Sequence, residues 1–161
     1  MNRLIPILFT FFFTFSLQAQ VLYVKADANG ANNGTSWSNA YTDLQSAIAT
    51  ADYGTQIWVA VGTYKPTTGT DRDAYFELKN GLEIYGGFIG TETQLEERDY
   101  IHNESILSGD IGVVGDSLDN SYTIVYSIGT DENTILEGFT IREGNADYPG
   151  GDALDLSLIH I

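Results

Sequence analysis

Leu82-Glu83-Ile84-Tyr85-Gly86-Gly87 is echoed by Ser105-Ile106-Leu107-Ser108-Gly109 and again by Thr134-Ile135-Leu136-Glu137-Gly138. Each stretch alternates apolar and polar residues at the period of a strand and closes on glycine. The corners Asn80-Gly81, Gly86-Gly87, Gly109-Asp110 and Glu137-Gly138 come too often for long hairpins. Superposing them gives a weak repeat of roughly 20–30 residues, within the range of solenoid units. The second interval is longer by the polar loop 112–120. Such a unit predicts an all-β parallel β-helix, in which each coil buries its inward residues on those of its neighbours. A β-sandwich also uses short alternating strands, but the repeat and the irregular loops favour coils. Parity groups Phe76 with Leu78, Leu82 with Ile84 and Phe88, and Tyr122 with Ile124, Tyr126 and Ile128. Glu77, Glu83 and Tyr85 point the other way.

Towards the N-terminus the pattern changes. Val21–Val24 reads as a strand, followed by a loop rich in Asn, Asp and Gly, residues that tolerate left-handed turns. Thr42-Asp43-Leu44-Gln45 has the form of a capping box, and Leu44, Ala47, Ile48 and Ala51 form one helical stripe that Gly54 ends. A helix with one narrow apolar stripe, with Trp37 just ahead of it, suits the end of a solenoid, where a first coil would otherwise expose unpaired backbone. Residues 20–54 are therefore expected to form the strand, loop and capping helix, and residues 55–155 the start of the β-helix. Ahead of them, Arg3 and the apolar run Leu4–Leu17, closed by Leu17-Gln18-Ala19, read as an export signal over residues 1–19. The run is short of the ~20 residues of a spanning helix.

Composition narrows the function. With 22 acidic residues against seven basic ones and a formal charge of −15, the protein would repel a phosphate backbone, which excludes nucleic acid, and it disfavours anionic membrane surfaces. The absence of cysteine removes the disulfide-scaffold families, and 43% apolar residues are enough for one modest core.

Gly86-Gly87-Phe88-Ile89-Gly90-Thr91-Glu92, then Arg98-Asp99, Asn103 and Ile106-Leu107-Ser108-Gly109-Asp110, resembles a family of bacterial secreted right-handed β-helix proteins of the pectin-lyase-like fold. Leu136-Glu137-Gly138-Phe139-Thr140-Ile141 with Gly144-Asn145-Ala146 looks like its recurring coil, which is similar to repeats of polymorphic outer-membrane proteins. Tyr23-Val24 through Trp37 and the Leu44-Gln45 helix look like its N-terminus. The resemblance spans nearly all of Val21 to Gly151, with Glu143 standing where such coils often carry glycine. It implies a secreted or surface location. Its members include surface proteins of unassigned role, and some relatives on the fold are polysaccharide lyases or hydrolases; fold alone does not choose between these.

Candidate chemistry is sparse. Asp110, Asp116 and Asp119 share one loop, and Arg142 lies outward on a later coil, the ingredients of carboxylate or calcium-assisted polysaccharide cleavage. A solvated acidic corner with a surface arginine is the preferred reading, and no residue is assigned a catalytic role. Asp27-Ala28-Asn29-Gly30 has the oxygen spacing and turn glycine of a short metal loop but lacks a later bidentate acid. Calcium, through Asp27, Asn29, Asp110, Asp116 and Asp119, is the one cofactor raised. Gly86-Gly87-Phe88-Ile89-Gly90 lacks the spacing of a dinucleotide turn, and Glu92 and Glu96 would stand where phosphate belongs. His102 has no serine motif beside it. Among the aromatic residues Tyr23, Tyr41, Tyr64, Tyr75, Tyr85 and Trp58, parity turns Tyr75 and Tyr85 outward as candidates for sugar stacking, with Arg142 as a third binding residue.

Leu156-Ser157-Leu158-Ile159-His160-Ile161 looks like the conceptual translation of a transposon end used as a sequencing adapter, which would make the protein C-terminally truncated near Asp155. A genuine final strand is the alternative. The expected function is a secreted or cell-surface scaffold, adhesin-like, binding glycans or other surface components. The competing expectation is the N-terminal part of a polysaccharide lyase or glycosidase whose catalytic coils lie downstream.

Overall fold

The computed structural model describes residues 20–147 and the backbone of Leu158–His160. The expected export signal, the last part of the expected coil region and the remainder of the adapter-like tail lie outside the described residues. In chain order the strands are β1 (Val21–Val24), β2 (Gln56–Ala60), β3 (Gly62–Tyr64), β4 (Phe76–Leu78), β5 (Glu83–Phe88), β6 (Ser105–Ser108), β7 (Val125–Ser127), β8 (Ile135–Glu137), β9 (Phe139–Arg142) and β10 (Leu158–His160). Among the described residues the one α-helix is α1 (Leu44–Thr50).

The protein is thus mostly strands in parallel sheets with little helix. The first sheet has the order β1-β2-β5-β8, the second contains β3, β6 and β9 in parallel with β10 antiparallel outside β9, and the third is β4 beside β7. From β2 to β9 the backbone visits the first, second and third sheets in rotation. Parallel neighbours cannot be joined by a tight hairpin; here the route back to each sheet runs through the other two.

This rotation corrects the repeat read from the glycine corners. Leu82–Gly87 and Thr134–Gly138 do stack, with Glu83, Ile84 and Tyr85 opposite Ile135, Leu136 and Glu137. Ser105–Gly109 does not belong with them: Ser105, Ile106 and Leu107 pair with Gly62, Thr63 and Tyr64 on one side and Phe139, Thr140 and Ile141 on the other. Every strand that buries alternate residues and then turns a corner carries the same local signature, so strands of different sheets are easily superposed.

The corner glycines are close approaches of backbone. A Cβ on Gly86 would lie 2.3 Å from the Gly138 carbonyl oxygen, and Gly138 itself has φ +80°. Glu143, at the position where the resemblance leads one to expect glycine, adopts φ +65°, an uncommon conformation for a side chain with a Cβ.

The main core lies between the sheets. Val24, Ile57, Val59 and Ile84 from the first sheet meet Tyr64, Leu107, Phe139 and Ile141 from the second and Phe76 from the third, joined by Leu82 and Ile124. Leu44, Ala47, Ile48 and Ala51 add the stripe of α1 to the same cluster, and the helix contacts β1, β2 and β4. The free edge of β1 is covered as well. Tyr23 N–H donates to the Gly34 carbonyl and Tyr41 N–H to the Tyr23 carbonyl, both at 2.9 Å, and Lys25 N–H donates to the Tyr41 carbonyl at 2.8 Å. Helix and loop together therefore shield the end that would otherwise template pairing.

The cap of α1 lies one residue later than expected. Asp43, not Thr42, is the N-cap: its carboxylate accepts Ser46 N–H at 2.7 Å and the Ser46 hydroxyl at 2.8 Å. Gln45 is thereby released from the expected box and reaches towards the third sheet. The helix stops at Thr50, ahead of Gly54.

Candidate functional site

On the third sheet Phe76 is buried and Leu78 packs on the core, which turns Tyr75 and Glu77 outward. Pairing of Phe76 with Val125 and Glu77 with Tyr126 brings Tyr126 to the same outer face. The expected face shared by Ile124, Tyr126 and Ile128 is therefore wrong: Ile124 is 4% exposed, whereas Tyr126 and Ile128 are 38% and 70% exposed. Ile124 precedes the strand, and Val125 also packs on the core, so the alternation changes phase there.

The Tyr75 and Tyr126 rings lie 5.1 Å apart, tilted by 49°. Gln45 from α1 donates its amide Nε2 to the carbonyls of Tyr75 at 2.8 Å and Pro66 at 3.0 Å, which fixes the backbone under the first ring. Phe76 N–H donates to the Ile124 carbonyl at 2.8 Å, tying the two strands beneath the pair. Tyr75 keeps 36% of its surface in solvent. The Glu77 side chain is exposed, and its carboxylate has no hydrogen-bond or ion-pair partner among the described residues.

Tyr85, the other expected stacking residue, points away from the main core but is buried. It joins Trp58 and Phe88 in a second cluster on the outer side of the first sheet, beneath Val21, Tyr23, Trp37 and Leu95. Trp58 stacks on Phe88 at 4.8 Å, Trp37 meets Tyr23 edge-on at 4.7 Å, and the Trp37 indole N–H donates to the Glu92 carbonyl at 2.9 Å. The Tyr85 hydroxyl donates to Glu83 at 3.0 Å, and the Arg98 guanidinium lies over its ring at 4.9 Å. Burial, followed by the bond to Glu83, pushes the phenol up to about 12. Trp58 and Tyr23 are occupied in this cluster. Tyr64 is buried in the main core with its hydroxyl on the Ala60 carbonyl, and Tyr41 is half-buried with its hydroxyl 3.1 Å from that of Thr50.

Glu92 anchors the flap over this second cluster. Burial alone would raise its carboxyl, but backbone N–H groups of Ile89, Thr91, Glu92 itself and Gly90 outweigh it and hold the group below the usual carboxylate range. A depressed folded pKa contributes stability above the unfolded value of ~4.3 that is lost as pH falls through the folded one. Glu92→Gln should therefore cost about 1 kcal/mol at neutral pH and flatten the acid limb of the unfolding curve, followed by tryptophan fluorescence. An unchanged acid limb would assign that sensitivity to other carboxylates.

The acidic candidates serve their own loops. Asp110, 8% exposed, accepts Gly115 N–H at 2.9 Å and faces Lys65 at 3.6 Å. Asp116 accepts Leu118 N–H at 3.0 Å, and Asp119 accepts Val113 N–H at 2.7 Å. Asp27 is exposed and 3.6 Å from Lys25, and Asn29 is exposed in the same loop. Among the described residues no group of three or more His, Cys, Asp or Glu is placed to hold a metal ion. Arg142 is exposed on β9 with its Nε 3.6 Å from Glu143, away from the tyrosine pair in a different sheet. His102 is exposed with Nδ1 2.7 Å from Asp99.

All six Lys and Arg side chains among the described residues are engaged. Besides Lys25, Lys65 and Arg142, Lys79 donates to the Ala49 and Ala51 carbonyls at the end of α1. Arg72 donates to the Asn120 and Asn145 carbonyls and Asp147 and lies 4.0 Å over the Tyr122 ring, while Arg98 pairs with Glu137. Composition alone does not reveal this distribution, nor does it single out Tyr126 and Glu77. No protein-family model, no curated protein and no solved structure matches this protein.

Proposed function

We propose that this is a secreted or cell-surface protein, a right-handed parallel β-helix capped by α1, that binds glycans through the outer face of its third sheet. Rotation of the strands through three sheets supports the coil reading, together with the resemblance in the Gly86–Asp110 and Leu136–Ala146 segments. The export-signal pattern at the N-terminus supports the location. The observation that carries the binding reading is the Tyr75–Tyr126 pair. Two half-exposed phenol rings, one on β7 and one just ahead of β4, offer apolar faces for the C–H side of a sugar and hydroxyls for its rim, with few rotatable bonds to order.

Retention of the protein on a panel of immobilised polysaccharides tests it, followed by affinities for the oligosaccharides retained. Tyr126→Ala is expected to weaken binding at least tenfold while leaving the urea unfolding midpoint near that of the parent, since the ring is largely outside the core. Retention by neither polysaccharide nor oligosaccharide would overturn the reading. Release of reducing or unsaturated sugars would replace it with the polysaccharide-cleaving alternative.

A further inference from the structure

The charge pattern around the tyrosine pair selects among sugars. We infer that the third-sheet face prefers glycans carrying protonated amino groups over neutral ones and rejects uronic-acid polymers, an inference that rests on the glycan-binding reading above.

Glu77 is the cross-strand neighbour of Tyr126 and shares the outward face with both rings, and its exposed carboxylate has no partner among the described residues. A carboxylate so placed has a strong acceptor to offer a ligand and no internal cation to satisfy it. Among the described residues no cation is left uncommitted to oppose it. Lys79, just after β4, has its ammonium on carbonyls at the end of α1, and Arg72 is held by backbone carbonyls, Asp147 and the Tyr122 ring. The other four cations among the described residues each face a carboxylate. Recognition of a uronate needs an uncommitted Arg or Lys, preferably an Arg fork. A sugar ammonium needs an uncommitted carboxylate beside a stacking surface, and the flanking phenol rings add attraction for a cation. The overall charge of −15 acts in the same sense on encounter.

The test uses the intact protein and three oligosaccharide sets of equal length, measured by calorimetry at a pH where the sugar amine is protonated: glucosamine oligomers, their N-acetylated counterparts and oligogalacturonates. Glucosamine oligomers should bind at least tenfold more tightly than the acetylated set, the gap narrowing with added salt, and oligogalacturonates should not bind. Glu77→Gln should bring the affinity for the glucosamine oligomers down to that of the acetylated set; Tyr126→Ala should lose both. An oligolysine of matching charge should bind weakly, and binding it as tightly as the amino sugar would reduce the preference to bulk attraction and overturn the inference. Equal binding of both glucosamine sets, or a preference that survives Glu77→Gln, overturns this inference but leaves glycan binding standing. Failure of every set overturns this inference, and glycan binding falls with it only if the polysaccharide panel is not retained either.

Discussion

Phe139→Ala is expected to destabilise the protein by about 3–5 kcal/mol, the range for emptying a buried aromatic site. Phe139 opens β9, is 1% exposed and belongs to the cluster that joins all three sheets and α1. Its backbone pairs with Ser105, so the strand is held on the β6 side while the side chain is deleted, and the cavity cannot be closed by moving the strand alone. Small domains have only ~5–15 kcal/mol of net stability, so much of it would be lost. Urea unfolding should show the midpoint falling with an unchanged slope. Leu118→Ala is the control: at 70% exposure on a surface loop it should shift stability by less than about 0.5 kcal/mol. A Phe139 variant as stable as this control would mean the cluster is loosely packed.

Gly86→Ala is expected to cost about 3 kcal/mol, at the upper end for overpacking. The added methyl would lie 2.3 Å from the Gly138 oxygen and 3.0 Å from the Ser105 Cβ, and the first of these is backbone, which cannot rotate away. Relief requires β5 and the corner after β8 to separate, weakening the pairing of Glu83–Tyr85 with Ile135–Glu137. Gly129→Ala separates crowding from backbone conformation. It has φ +66° but nothing within 4 Å of the added Cβ, so it should cost only about 1 kcal/mol. Equal losses in the two variants would show that the Gly86–Gly138 approach is softer than its distance implies.

Much of the frame was legible because periodicity is local. Period-two runs found β5 and β6, and the apolar stripe Leu44, Ala47, Ile48, Ala51 found α1 and the face it packs into the core. The failures lie where packing from distant segments, or a shift of strand phase, decides what a residue faces. Parity correctly turned Tyr85 away from the main core, but it describes a residue relative to its own sheet and says nothing of what lies above. Trp37, brought over by a hydrogen bond to Glu92, covers that face. Tyr126 was missed because the phase of alternation changes between Ile124 and Val125, where the strand begins. Glu77 reads in sequence only as a surface acid, since its significance comes from lying opposite Tyr126 and from the commitment of Lys79 elsewhere. Asp110, Asp116 and Asp119 stand close in sequence, and each accepts an N–H of its own loop, while the Asp119 Oδ1 is buried without a hydrogen-bond partner among the described residues.

In the first sheet, the order of strands across the sheet is their order in the sequence, β1-β2-β5-β8. No later strand is inserted between two earlier ones, so this sheet grows at one side only. A growing polypeptide can therefore lay down each strand against a finished template, with no need to wait for distant segments to arrive. The same order lets a gene lengthen by duplicating one circuit of the three sheets without disturbing pairs already made, so length and the number of outward faces can vary while the rule of assembly stays fixed.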